Sequence, residues 1–261
     1  MDYKLIEGVR KTSNGNFQFD YSLNLPTDII DVTSKQLYKD TFLNNIYWFG
    51  YEFKETTSIK DRTSFIHYIK GLTEPKISEE ELRKFIQYPL KELNNYINQY
   101  QIDCFLYPKS NRSNLVQTMI EEIGKATSRN MKRCSFELIK ELPSNILFDW
   151  QMFEDDHVGN EQSYKDIKNY VENILLPKVH SLEYFSLAKN VKPKYRKYIQ
   201  NYLKFDTEEH KKAFENLNGE NILVVDDINT SGSTLQEILR IIGSINISCN
   251  IFIYTQEDLL L

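Results

Sequence analysis

Two adjacent carboxylates, Asp226 and Asp227, stand just before a run of small hydroxylated residues built around one glycine: Thr230, Ser231, Gly232, Ser233 and Thr234. These residue types at this spacing suit a phosphorylated sugar. Carboxylates accept hydrogen bonds from sugar hydroxyls or share a metal ion with a phosphate. Hydroxyls and backbone N–H groups donate to phosphate oxygens, and Gly232 lets the backbone approach closely. The flanking residues supply the placement. Ile222, Leu223, Val224 and Val225 read as a buried strand, and Leu235, Ile238, Leu239 and Ile242 recur at helical spacing. A strand that surfaces in two acids, turns tightly and launches a helix offers an anion both N–H groups and a helix dipole. Any parallel strand can end in two acids before a capped helix, so the weight lies in the whole pattern.

Other clusters of polar residues invite the same scrutiny. The apolar run Ile102–Tyr107 ends in Pro108, Lys109, Ser110, Asn111, Arg112 and Ser113, and helical spacing resumes at Leu115, Met119, Ile120 and Ile123. This second strand–loop–helix unit carries either anion donors or a solvated turn with a helix cap at Ser113 or Asn114. A basic, acid-free run from Lys189 to Lys204 sets Lys192, Lys194, Arg196 and Lys197 among Tyr195, Tyr198 and Tyr202; runs of charge commonly just face water. Glu154, Asp155, Asp156 and His157 have the composition of a metal site without a second histidine to complete it, and read as a solvated loop. His67, His180 and His210 show no nucleophile or ligand pattern. Cys104, Cys134 and Cys249 are widely spaced in apolar contexts and read as buried reduced thiols.

The stretch from Ile222 to Thr234 closely resembles the signature of type I phosphoribosyltransferases, which bind phosphoribosyl pyrophosphate (PRPP): four hydrophobics, two acids, a variable pair and a Thr/Ser/Gly loop. The resemblance implies transfer of a ribose 5-phosphate to a nitrogenous acceptor with release of pyrophosphate. Asp226 and Asp227 would then take the ribose hydroxyls. Thr230, Ser231, Gly232, Ser233 and Thr234 would hold the 5′-phosphate. Lys109, Ser110, Asn111 and Arg112 occupy the place of the family's pyrophosphate loop. Lys194, Tyr195 or Arg196 would form the tip of a flexible loop over the reacting centre. Mg²⁺ would be required, reaching Asp226 and Asp227 through hydroxyls or water with no direct protein ligand. The layout is most similar to ComF-like members, with Phe65–Lys70 as a small further echo, although their cysteine zinc ribbon is missing. Thr230 stands where hypoxanthine/guanine enzymes carry an acid, which counts against purine salvage. The class leaves room for a homodimer. The competing expectation is a non-catalytic PRPP- or nucleotide-sensing regulator, or a partner-binding protein, on the same fold.

Positioning these groups requires an α/β fold, a parallel sheet flanked by helices. The expected division is an N-terminal cap or hood over residues 1–75 and a main domain over 76–261, with a helical insertion at about 143–219. Ser78 with Glu81 forms a capping box at the head of a long helix that Pro89 would kink or divide. Strands are expected at 17–23, 102–107, 131–142 and 247–254, and helices at 164–176, 194–203 and 207–217. Tyr47, Trp48, Phe49, Tyr51 and Phe53 suit either a flat ligand or packing of the cap, and we read them as packing.

Composition narrows the function. A chain of 261 residues can bury a sizeable core, and a net charge of −5 is opposite to that of a dedicated nucleic-acid binder. No apolar run approaches the roughly 18 residues that would suggest a membrane span. The N-terminus lacks a basic-then-apolar leader layout, so a cytoplasmic protein is expected.

Overall fold

The structure is a computed structural model and describes residues 3–6, 9–19, 28–31, 46–110, 113–126, 134–157, 161–229, 232–245 and 249–258. A small antiparallel sheet comes first, made of β1 (Tyr3–Ile6), β2 (Val9–Lys11) and β3 (Phe17–Phe19). Next are β4 (Asp28–Asp31), β5 (Ile46–Glu52), α1 (Ile59–Ile69), α2 (Glu79–Gln99), β6 (Cys104–Pro108), α3 (Leu115–Ala126) and β7 (Cys134–Lys140). A mixed segment holds β8 (Leu147–Phe148), α4 (Trp150–Asp156), α5 (Glu161–Tyr170), α6 (Leu176–His180), α7 (Leu187–Asn190), β9 (Ile199–Gln200), β10 (Leu203–Phe205) and α8 (Glu208–Glu215). The chain then returns to the sheet through β11 (Asn221–Asn229), α9 (Ser233–Ser244) and β12 (Asn250–Asp258).

The main sheet has the order β10-β7-β6-β11-β12-β5-β4. Its five inner strands are parallel, and an antiparallel strand closes each edge. Strand β11 lies at the middle, which explains its unbroken apolar run: a parallel strand covered on both faces has no polar side to show. Ile222 and Val224 point into one core with Leu235, Ile238, Leu239 and Ile242 of α9 and the aromatics of the mixed segment. Leu223 and Val225 point into the other, with Phe65 and Ile69 of α1, Phe85 and Leu90 of α2, and Leu115 and Met119 of α3.

Helix α2 shows how local chemistry is resolved. Ser78 Oγ accepts the N–H of Glu81 at 3.2 Å, as the capping box predicts. Pro89 lies inside the helix, yet one helix spans both sides of it. A proline there leaves the carbonyl four residues earlier without its N–H partner. That carbonyl belongs to Phe85, and the Tyr51 hydroxyl donates to it at 2.6 Å while the Tyr51 ring stacks on Phe85 at 4.3 Å.

Several expected elements differ in the structure. Residues 46–52, from the segment expected to cap the domain, form a parallel strand beside β12, with Trp48 stacked on Phe252 at 5.3 Å. Residues 154–156 are not a loop but the end of α4, with His157 as its C-cap; Asp149 caps the other end by accepting the Met152 N–H at 2.9 Å. The helix expected at 194–203 is a 3-10 turn over Pro193–Tyr198 followed by β9 and β10. Tyr195, Tyr198, Ile199, Tyr202, Leu203 and Phe205 are all buried there, but Ile199–Gln200 pairs with Leu147–Phe148 and Leu203–Phe205 with Leu138–Lys140, so the backbone bonds to neighbouring strands rather than along a helix. Asn201, at φ +58°, turns the chain between the two strands. The helix expected at 164–176 passes through a π turn at Val171–Leu175. The expected strand at 17–23 is described only to Phe19. Cys104 and Cys249 are buried, as expected. Among the described residues, no helix is long and apolar enough to cross a membrane.

Candidate functional site

The sheet connections locate the site. From β6 the chain passes through α3 to β7 on one side; from β11 it passes through α9 to β12 on the other. Helices α3 and α9 pack on opposite faces. The strand order therefore reverses between β6 and β11, and the crevice outside the carboxyl ends of such a strand pair is where open α/β sheets take ligands. The two polar loops singled out in the sequence, after Pro108 and after Asn229, leave these two strands. Register runs between β6 and β11 only at residues 222–224 of β11. The carboxylates lie just beyond.

Asp226 is still within the β11–β12 ladder, opposite Thr255. It is 5% exposed, and its Oδ1 accepts the N–H of Asp227 at 2.8 Å. Burial raises its carboxyl pKa from 3.8 to about 7, and repulsion from Asp227 adds to the effect; the Asp227 N–H and Lys70 oppose it. The neighbouring acid is treated differently. Asp227 Oδ2 lies 2.7 Å from Nζ of Lys70, with the two side chains 16% and 22% exposed. Strand alternation explains the split, since Asp227 follows Leu223 and Val225 onto the face that α1 covers. One carboxyl is thus buried with a reduced tendency to ionise, and the other is held beside a cation.

Lys70 is set by the end of α1. Gly71, at φ +67°, donates its N–H to Tyr68 O at 2.9 Å, and Leu72 donates to His67 O at 2.8 Å. This paired closure ends the helix at Ile69 with Lys70 as its C-cap, where the helix dipole also favours a cation. Sequence reading noticed Phe65–Lys70 but gave Lys70 no role, because nothing local marks a partner so distant in sequence. Gly71 after an apolar-periodic stretch was the available signal, and it marks a helix end rather than an ion pair.

In the loop after β11, Gly232 precedes α9 in the left-handed conformation, φ +69° and ψ −5°, which glycine adopts without strain. Its carbonyl accepts the Gln236 N–H at 2.8 Å to start the helix. Ser233 is buried and Thr234 half-buried. The buried Tyr202 hydroxyl donates to Ser233 O at 2.6 Å, so β10's approach fixes the first turn of α9. Tyr202 was counted in the sequence only as part of a basic run. Thr230 and Ser231 lie outside the described residues, as do Asn111 and Arg112.

After β6, Lys109 Nζ sits 2.8 Å from Glu137 Oε1 of β7, which pushes the ammonium pKa up, and its N–H donates to Leu138 O. Ser110 follows, and Ser113 Oγ accepts the Leu115 N–H at 3.2 Å, capping α3. The basic run is tied into the mixed segment. Arg196 Nε donates to Val191 O at 3.1 Å and Nη2 to Ala188 O at 2.8 Å, while Lys194 Nζ lies 4.8 Å over the Tyr195 ring. Lys197 pairs with Asp156, and Lys204 with Glu141. His157 of the acidic group stacks on Phe153 at 4.1 Å. Among the described residues, no group of three or more His, Cys, Asp or Glu is placed to hold a metal ion.

Neither a protein-family model nor a curated protein matches this sequence. Among solved structures, a hypoxanthine phosphoribosyltransferase from Trypanosoma cruzi aligns over 69% of this chain and 75% of its own, at 10% identity and a TM-score of 0.35. One from Staphylococcus aureus aligns over 67% and 73%, at 10% identity and a TM-score of 0.34.

Proposed function

We propose that the protein binds PRPP, entering with Mg²⁺, and transfers its ribose 5-phosphate to a nitrogenous acceptor. The observation that carries this reading is the pair Asp226–Asp227 at the carboxyl end of β11, at the point of strand reversal, followed by Gly232 turning left-handed into α9. Residues 230–234 would take the 5′-phosphate, helped by the N-terminus of α9. The carboxyl groups would receive the ribose 2- and 3-hydroxyls, with Asp226 able to accept or donate because its ionisation falls near neutrality. Lys109 and the residues to Arg112 would face the pyrophosphate. In the transfer, the acceptor nitrogen forms a bond to C1 as the C1–O bond to pyrophosphate breaks, the electron pair leaving with pyrophosphate. Two adjacent acids, one buried and one paired with Lys70, fit a magnesium ion that arrives on the pyrophosphate better than a resident ion. That ion would screen the charge of the leaving group.

A second reading, a PRPP or nucleotide sensor without turnover, draws support from the cations expected around the leaving group. Lys109 is engaged by Glu137, and Arg196 by two backbone carbonyls. Assaying pyrophosphate release from Mg²⁺–PRPP across a panel of purine, pyrimidine and other nitrogen bases separates the two. Release with one acceptor establishes the transferase; PRPP binding with no release on any acceptor establishes the sensor.

A further inference from the structure

Lys70 is a basic residue held at the candidate site by α1, on the sheet face opposite the phosphate-cradling helix α9. Its ammonium lies 2.7 Å from Asp227, and the pair is only partly exposed, so the cation stays close to whatever the carboxylate receives. The chemistry of the sugar then sets what it meets. In PRPP the 5-phosphate is across the ring from C1, whereas the pyrophosphate on C1 is next to the 2-hydroxyl. With the 5-phosphate at the N-terminus of α9 and the hydroxyls on the two acids, a cation held by Asp227 on the side away from α9 falls beside C1. From this geometry, and resting on the PRPP reading above, we infer that Lys70 is a pyrophosphate-binding residue. Asp227 holds it in the free protein, and the ligand's C1 pyrophosphate shares it in the complex. The closure at Gly71 fixes the backbone of Lys70, so the ammonium is presented without first ordering a loop. It supplies a cation at the carboxylates themselves, where Lys109 is already paired with Glu137.

Calorimetry on the full chain with two probes tests this: PRPP with Mg²⁺, and ribose 5-phosphate, which lacks the pyrophosphate. The variants are Lys70→Met and Lys70→Arg, each checked for folding by circular dichroism. Removing one charge-assisted contact should weaken PRPP binding by about 10- to 100-fold in Lys70→Met. Ribose 5-phosphate should stay within about 3-fold of wild type, and Lys70→Arg should retain most PRPP affinity. Should Lys70→Met weaken both probes equally, or neither, the lysine serves only to balance Asp227 and the inference is overturned while the PRPP reading stands. If wild type binds neither probe, both fall. If Lys70→Met does not fold, Lys70→Gln takes its place: selective weakening of PRPP over ribose 5-phosphate supports the inference, and equal changes or none overturn it.

Discussion

Replacing Asp226 with asparagine should make the protein more stable in mild alkali and leave it nearly unchanged in acid. In the folded state the Asp226 carboxyl loses its proton only near pH 7, against 3.8 for the ordinary group, chiefly because it is buried. A folded-state pKa raised above the unfolded one means the native protein holds a proton that the unfolded chain has released. Stability is therefore full below about pH 4 and falls as pH rises toward 7, levelling above it. Each pH unit between the two values is worth about 1.4 kcal/mol, so the whole interval corresponds to roughly 4 kcal/mol for a fully desolvated acid. Asparagine has the same shape, cannot ionise, and keeps an oxygen for the Asp227 N–H. Urea denaturation of wild type and Asp226→Asn at pH 5, 6, 7 and 8 isolates the effect, since every other titrating group is common to both. The difference should grow in favour of the variant by a few kcal/mol between pH 5 and 8. A flat difference across that range would refute the argument that burial governs Asp226.

Other consequences follow from the packing. Tyr202→Phe removes the hydroxyl that donates to Ser233 O at the start of α9, and should cost about 1–2 kcal/mol of stability in urea denaturation. Tyr51→Phe leaves the Phe85 carbonyl that Pro89 releases without its donor, at a similar cost. That cost should shrink in a Pro89→Ala background, where the backbone N–H returns, and thermal melts of the double-mutant cycle would show no coupling if the hydroxyl were idle. Glu122, 2% exposed, bridges α3 to Arg83 and Gln87 of α2 and accepts from Lys125. Burial pushes its pKa up, but hydrogen bonds from Lys125, Gln87 and Arg83 outweigh it and hold it low. Glu122→Ala should destabilise by about 3 kcal/mol, with a cost below 1 kcal/mol in chemical denaturation arguing against a buried network.

The site's centre was legible because everything that defines it is local. Four apolar residues, two acids and a glycine loop lie within one stretch, and their meaning does not depend on distant contacts. Helix α2 was legible for the same reason, its cap being written in Ser78 and Glu81. Strand β5 was not, because Tyr47, Trp48, Phe49 and Tyr51 run without the apolar–polar alternation that marks a half-buried strand. Residues 194–203 carried helix-like spacing of tyrosines and lysines, but Asn201 in the left-handed conformation and pairing with β8 and β7 made a tight turn and two short strands instead. Lys70 and Tyr202 meet the site across sheet and helix, at Asp227 and Ser233. Pairings of that kind leave no periodic trace, and only the fold brings them together.

The most direct test of the account is calorimetric titration of the full chain with PRPP and Mg²⁺, beside the double variant Asp226→Ala/Asp227→Ala. The account predicts saturable binding by wild type and a loss of at least about 100-fold in the variant, since two hydrogen-bonding carboxyls are removed together. No binding of PRPP, ribose 5-phosphate or nucleotide by wild type, or equal binding by the variant, would contradict it.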